Sequence, residues 1–376
     1  MNVRTAVIPA AGYGTRFLPV SKAVPKEMLP LVDRPVIQYA VEQAVEAGIE
    51  RVVLVTSAGK GAMEEYFAVA PALEAALERR GHPKLDEVRR VSRMVELVPV
   101  TQAEPLGLGH AVLCARDAVG GEPFVVYLPD EIVLAEPPVT RQLLDASERL
   151  GGSVAGVIEV PRADVVRYGV IDGEQVEERA WRLSGLVEKP PVEDAPSRLA
   201  VTGPYVLSPA IFEALASVET GAAGEIQLTD GLDALAKREP VFAYRFEGER
   251  FDAGTPLGLI ETAVELALRR PELAAELGPW IKDLAKRIKS KPCRYASAYT
   301  RASRTARTRS CGVCGVWPTT LASTGSRCGT TTTSRRRSTA RTRPSRRCRS
   351  CRPSRSRPSG RASDASSTRW ATATRR

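Results

Sequence analysis

Short apolar runs alternate with longer stretches in which apolar side chains recur every three or four positions, and this alternation persists through residue 290. The runs at 5–10, 51–56, 94–100, 124–128, 153–160 and 183–187 read as strands. The stretches at 35–47, 63–80, 108–119, 140–150, 225–237, 257–270 and 271–289 carry the helical period. Pro35 at a helix start and Gly48 just past its end suit helix termini. Proline lacks only an N–H that the first turn leaves unpaired, and glycine accepts the backbone that closes the last. Strands alternating with helices predict an α/β fold, a mostly parallel mixed sheet flanked by helices. Ligands of such sheets bind beyond the carboxyl ends of the strands, so chemistry is expected in the strand-to-helix loops.

No run is apolar and long enough to span a bilayer, and residues 3–8 read as a strand rather than as a signal core. A cytoplasmic protein without a membrane partner is expected.

Charge divides the chain in two. The net charge of +10 suggests an acidic partner, yet 22 of the basic residues and a single acid, Asp364, lie from Lys291 onward. Residues 1–290 therefore carry 32 basic and 43 acidic side chains, a net of −11, so nucleic acid is not an expected partner of the body. Six of the seven cysteines also lie in the tail. After Pro292 there is no Lys, Glu, Gln, Asn, His, Ile, Met or Phe, and no amphipathic period with which to build a core. The expected organisation is a domain at 1–290 and a tail at 291–376. The tail reads as a gene segment translated out of frame, as a disordered basic arm, or as zinc knuckles at Cys311/Cys314 and Cys348/Cys351. Its residue types are largely those of G- and C-rich codons, which favours the frame shift.

The first strand runs into Ala10-Ala11-Gly12-Tyr13-Gly14-Thr15-Arg16. Glycines let backbone N–H groups approach anionic oxygens, although a G-x-G alone is also an ordinary tight turn. It is neither a dinucleotide fingerprint nor a P-loop, since Phe17 stands where the third glycine would be and no G-K-[ST] follows. Arg16, Lys22 and Lys26 then crowd a proline-rich segment, and such a stiffened cationic loop suits a triphosphate.

Residues 7–39, from Val-Ile-Pro-Ala-Ala-Gly-Tyr-Gly-Thr-Arg through Lys-Glu-Met-Leu-Pro-Leu, resemble the signature of the bacterial UTP–glucose-1-phosphate uridylyltransferases, within the sugar nucleotidyltransferase superfamily. The resemblance extends over residues 3–285. It implies a Rossmann-like nucleotidyltransferase fold and a nucleotide site at Ala10, Ala11, Gly12, Gly14 and Glu27. Gln102, whose amide both donates and accepts, and Gly107 in the Gly-Leu-Gly-His-Ala turn would contact the uracil. His110 in that turn reads as a capping or packing residue.

Asp130 follows the strand at 124–128, where an unpaired acid would be costly unless it binds a cation; Asp252 is a second candidate. By resemblance the two hold Mg2+. Tyr168-Gly169-Val170 and Val187-Glu188-Lys189-Pro190 match further family elements, so Gly169, Glu188 and Lys189 are expected on the sugar. The helix that follows Gly224-Glu225-Ile226-Gln227 reads mainly as wall and interface. Two stretches depart from the family pattern and bear on sugar choice. Gly203-Pro204-Tyr205 stands in place of Gly-Arg-Tyr, and the stretch from Gly254 to Leu259 lacks the usual Lys and Tyr.

The expected activity is uridylyl transfer from UTP to glucose 1-phosphate with release of pyrophosphate. Arg16, Lys26 and Lys189 would act as the catalytic cations in a direct in-line attack assisted by Mg2+. The resemblance implies a homodimer or homotetramer. Alternatives are a sister transferase using dTTP or another sugar 1-phosphate, and a non-catalytic nucleotide-binding regulator.

Overall fold

Every residue of strand β1 (Thr5–Pro9) but the last is buried, as an apolar run inside a sheet demands. The computed structural model describes residues 3–219 and 224–290; the tail and its candidate zinc knuckles at Cys311/Cys314 and Cys348/Cys351 lie outside them. After β1 come the glycine loop, a short hairpin of β2 (Pro30–Leu31) and β3 (Arg34–Pro35), and helix α1 (Val36–Glu46). Strand β4 (Arg51–Thr56) leads to α2 (Ala62–Phe67), α3 (Pro71–Arg79) and α4 (Leu85–Val91). Strand β5 (Glu96–Thr101) leads to α5 (Leu108–Cys114) and α6 (Arg116–Val119). Strands β6 (Phe124–Val126) and β7 (Glu131–Leu134) precede α7 (Val139–Leu150). The chain continues through β8 (Ser153–Glu159), β9 (Gly169–Glu177), β10 (Ala180–Glu188), β11 (Leu199–Leu207), α8 (Ala210–Ser217) and α9 (Leu228–Ala236). It ends with β12 (Val241–Arg245), β13 (Glu249–Asp252), α10 (Pro256–Leu268) and α11 (Pro271–Ser290).

Among the described residues, nine strands form one sheet in the order β5-β4-β1-β6-β11-β8-β12-β10-β9. The first four are mutually parallel, as the alternation predicts, and β12 is parallel to β8. Strand β11 enters antiparallel between β6 and β8, and β9 with β10 forms an antiparallel hairpin, so the sheet is mixed. The two-residue period of the strands feeds a core on each face. Val7, Phe124 and Val126 pack with helices α5, α8 and α9, whereas Ala6, Ile8 and Val125 pack with α1 and α7. Phe124 and Phe212 stack with ring centroids 5.1 Å apart.

Several expected boundaries move. The stretch 63–80 is two helices, because Pro71 has no N–H to continue the first and instead opens the second. The stretch 108–119 also divides, at Ala115, and the helix expected from 225 begins at Leu228. A second sheet of β7 and β13 matters more than any of these. Its register sets Asp252 opposite Glu131, bringing two distant loops together at the carboxyl end of β6.

Candidate active site

The glycine loop closes over the carboxyl end of β1. Gly14 has φ +62°, and a Cβ there would stand 3.2 Å from Lys26 Cβ, so glycine keeps the loop against the cationic segment. A cavity of about 500 Å³ opens beside it, bordered by Ala11, Gly12, Gly14, Lys26, Glu27, Gln102, Gly107 and Asp130. A second cavity of about 440 Å³ lies on the other side of Asp130, bordered by Arg16, Gly169, Glu188, Lys189 and Asp252. Leu108, Leu128 and Asp130 border both. The expected site residues are thus gathered into two adjoining chambers, with two adjustments. Arg16 faces the second chamber, donating from Nη1 to the Gly254 carbonyl at 3.4 Å, and Ala10 is buried with its carbonyl already occupied.

Lys26 Nζ lies 2.6 Å from Asp130 Oδ2. Burial pulls the Lys26 pKa down, but Asp130 and Glu27 outweigh it and the net shift is upward. Burial pushes the Asp130 carboxyl up, and Lys26 more than compensates, holding it below the ordinary carboxylate value. Glu27 is 1% exposed, and burial pushes its carboxyl up despite Lys60 and Lys26.

Asp130 and Asp252 converge. A Cβ on Gly254 would stand 2.7 Å from Asp130 Oδ2 and 3.0 Å from Asp252 Oδ1, so the two carboxylates face one small space. Among the described residues no group of three or more His, Cys, Asp or Glu could hold a metal ion. An ion here would take two carboxylates and fill its remaining positions from phosphate and water, which suits a small hard cation. Behind them Arg250 clamps Glu131 with two contacts of 2.5 Å and lies over the Tyr168 ring, tying β13 to β7.

Lys189 follows β10 with φ +47°, a strained backbone for a residue with a side chain. Its N–H donates to the Tyr168 carbonyl at 3.0 Å, and its side chain, 56% exposed, sets the ammonium 2.8 Å from Glu188 Oε1. Thr229 donates to Glu188 Oε2 at 3.0 Å. On the other chamber's wall, Gln102 Nε2 donates to the Gly107 carbonyl at 3.2 Å and lies 2.8 Å from His110 Nδ1. Gly107 has φ +100°, and a Cβ there would meet the Ile226 carbonyl oxygen at 2.6 Å, so only glycine fits.

Residues 5–268 match the family model described as nucleotidyl transferase. The chain belongs to the nucleotidyl transferase family. It is 49% identical over 284 residues to the UTP–glucose-1-phosphate uridylyltransferase of Bacillus subtilis, covering 75% of this chain and 97% of the relative. The enzyme of the same name from Staphylococcus epidermidis is 46% identical, covering 75% of this chain and 99% of its own. Among solved structures, a UDP-glucose pyrophosphorylase complexed with UDP-glucose is 42% identical with a TM-score of 0.66, covering 72% of this chain and all of its own. A UTP-bound enzyme from Acinetobacter baumannii is 40% identical with a TM-score of 0.69, covering 75% of this chain and all of its own.

In this nucleotidyl transferase two residues beside the chambers, Lys60 and Thr229, carry no mark in the sequence. Lys60, 12% exposed, donates to the carbonyls of Ala10 at 2.7 Å and Gly12 at 2.5 Å, and lies 3.4 Å from Glu27 Oε2. By holding those carbonyls it leaves the loop's N–H groups for a ligand. For Lys60 the pointer is its place after β4, in the strand-to-helix loop beside the glycine loop. Thr229 was missed because its helix reads as a wall.

Within the two stretches that depart from the family pattern, Pro204 and Leu259 face away from the second chamber. Gly203 and Pro204 border a third cavity of about 320 Å³ behind Leu128, Glu131 and Thr202, and Leu259 packs with Leu31, Val36 and Ile132. Neither side chain lines the second chamber.

Proposed function

We propose that this chain transfers the uridylyl group of UTP to glucose 1-phosphate, forming UDP-glucose and pyrophosphate. The observation that carries the reading is the meeting of two chambers at Asp130. One is walled by a glycine loop and a polar amide, the other by Glu188 and Lys189. The names and bound ligands of the relatives support the same reaction.

The nucleotide would lie in the first chamber, with its base at Gln102 and Gly107 and its phosphates against the N–H groups of the loop 11–14. Glu188 would accept hydrogen bonds from sugar hydroxyls, its orientation kept by Thr229. Lys189 would hold the sugar phosphate, turned toward it by the backbone at φ +47°. The 1-phosphate is already an anionic nucleophile, so the chain's task is to bring two anions together in line. One of its oxygens bonds to the α-phosphorus as the bond from that phosphorus to the bridging oxygen of the leaving pyrophosphate breaks. Lys26 and Arg16 offset the charge that builds on the phosphates from opposite sides of Asp130.

Mg2+ is the ion we assign to Asp130 and Asp252, and when bound it neutralises phosphate charge and aligns the oxygens. The same reading takes Ala10 and Glu27 as supports of the loop and Gly169 as part of the sugar wall. Among the described residues no helix is long and apolar enough to cross a membrane, and we place the enzyme in the cytoplasm. Exposed Leu257 and Ile260 on α10 support self-association as a dimer or tetramer. The domain we assign is 1–290.

Lys189→Ala tests the reading. Turnover falls about a hundredfold or more while the melting temperature holds, because a donor aimed at developing charge is lost. Near-normal turnover would remove Lys189 from the reaction.

A further inference from the structure

We propose that His110 is a positioning residue that sets which edge of the Gln102 amide meets the base, and so makes the site select uracil over cytosine. The proposal rests on the first chamber being the nucleotide site.

Gln102 is 3% exposed, and the contacts of its amide are few enough to enumerate. The Gly107 carbonyl can only accept, so the amide nitrogen and not the oxygen faces it, at 3.2 Å. The second amide N–H then points to His110 Nδ1 at 2.8 Å, which requires a lone pair on Nδ1 and places the ring proton on Nε2. Cys114 Sγ is 3.9 Å from both ring nitrogens, too distant to compete with the amide for Nδ1.

Both amide protons are thereby used, and Gln102 Oε1 is left. Among the described residues no donor reaches it, and the side chain borders the first chamber. An acceptor that borders the chamber and has no protein donor gains a hydrogen bond from a ligand N–H. Uracil presents such a donor at N3, whereas cytosine presents a lone pair there and would set acceptor against acceptor. Thymine shares the N3–H, so this device does not separate UTP from dTTP.

The turn that carries His110 is held firmly enough for the purpose. Gly109 N donates to the Ile226 carbonyl at 2.8 Å, and Ile226 N donates to the Leu106 carbonyl at 2.7 Å. Without the imidazole acceptor only the Gly107 carbonyl holds the amide, and one amide proton is unpaired. Turning the amide round then gives up one hydrogen bond instead of two, so an N–H can be presented to the chamber, where cytosine N3 can accept it.

The test compares UTP, dTTP and CTP as substrates of the full chain carrying His110→Phe, His110→Ala or His110→Asn, with UMP and CMP binding measured by calorimetry. Phe and Ala remove the acceptor and lower the UTP-to-CTP ratio of kcat/KM about tenfold, one net hydrogen bond. The UTP effect lies in KM rather than kcat. Asn offers Oδ1 in place of Nδ1 and keeps the wild-type ratio. A wild-type ratio in both acceptor-free variants overturns the proposal, as does an Asn variant as unselective as Ala. If the wild type makes no product from UTP, the proposed function fails. The UMP-to-CMP binding ratio still decides this inference, which stands if Phe or Ala lowers that ratio and falls if neither does.

Discussion

Replacing Lys60 with methionine removes a half-buried cation that donates to two carbonyls of the glycine loop. Its ammonium lies 3.4 Å from Glu27 Oε2, and the other carboxylate oxygen of Glu27 is buried without a partner. At that separation and an effective dielectric of about 20 the attraction is about 5 kcal/mol, part of which offsets the desolvation of the ammonium. Removing one partner strands the other, a loss of about 3–5 kcal/mol. Lys26, which also interacts with Glu27, moderates this, so about 3 kcal/mol is expected.

At about 2–4 °C per kcal/mol for a domain of this size, Lys60→Met lowers Tm by about 6–12 °C. The deficit has a pH signature. Burial already raises the Glu27 pKa above its unfolded value, so folding favours the protonated form, and ionising Glu27 weakens the fold as pH rises between the two values. Without Lys60 the folded value climbs further. The deficit is therefore smallest in acid, where Glu27 is protonated in the folded protein with or without Lys60, and grows toward alkaline pH. Thermal melts at about pH 5 and about pH 8 measure it. Adding Glu27→Gln to the variant recovers most of the loss at the higher pH. A Tm unchanged in Lys60→Met at both pH values, or no recovery from Glu27→Gln, would refute the reasoning.

Other outcomes follow from the same geometry. Asp130→Asn removes a carboxylate from the proposed ion site and shifts the magnesium dependence of turnover to much higher concentration; an unchanged titration would take Asp130 out of that site. Gly107→Ala forces a side chain into a backbone with φ +100° and against the Ile226 carbonyl at 2.6 Å. Its backbone strain costs about 1–3 kcal/mol, and a weakened UTP KM follows, both readable from melts and initial rates.

The parallel half of the sheet and the glycine loop were legible because their signals are local. β1 and β4 are continuous apolar runs, and Gly12, Gly14 and Lys26 lie within a short span of chain. The antiparallel half was less legible. Strand β9 buries only its first three residues and then runs out exposed or half-buried, so neither alternation nor a continuous apolar run marks it.

The pairing of β7 with β13 was invisible for a different reason. It joins segments over a hundred residues apart, and only that pairing brings Asp252 to Asp130. Asp252 entered as a candidate through family resemblance rather than through any local pattern. Lys60 was hidden likewise: a lone lysine in a loop reads as a surface charge until the fold sets it beneath Ala10 and Gly12. The displaced role of Pro204 and Leu259 teaches the converse, since a departure near a motif in sequence can face away from the chamber.

The most direct measurement is product formation by the purified chain in the presence of magnesium, supplied in turn with UTP, dTTP, CTP, ATP and GTP and with several sugar 1-phosphates. Pyrophosphate and UDP-glucose should appear in equal amounts with UTP and glucose 1-phosphate, and both should vanish when the metal is chelated. Absence of any sugar nucleotide from every combination, with the chain folded, would contradict the account.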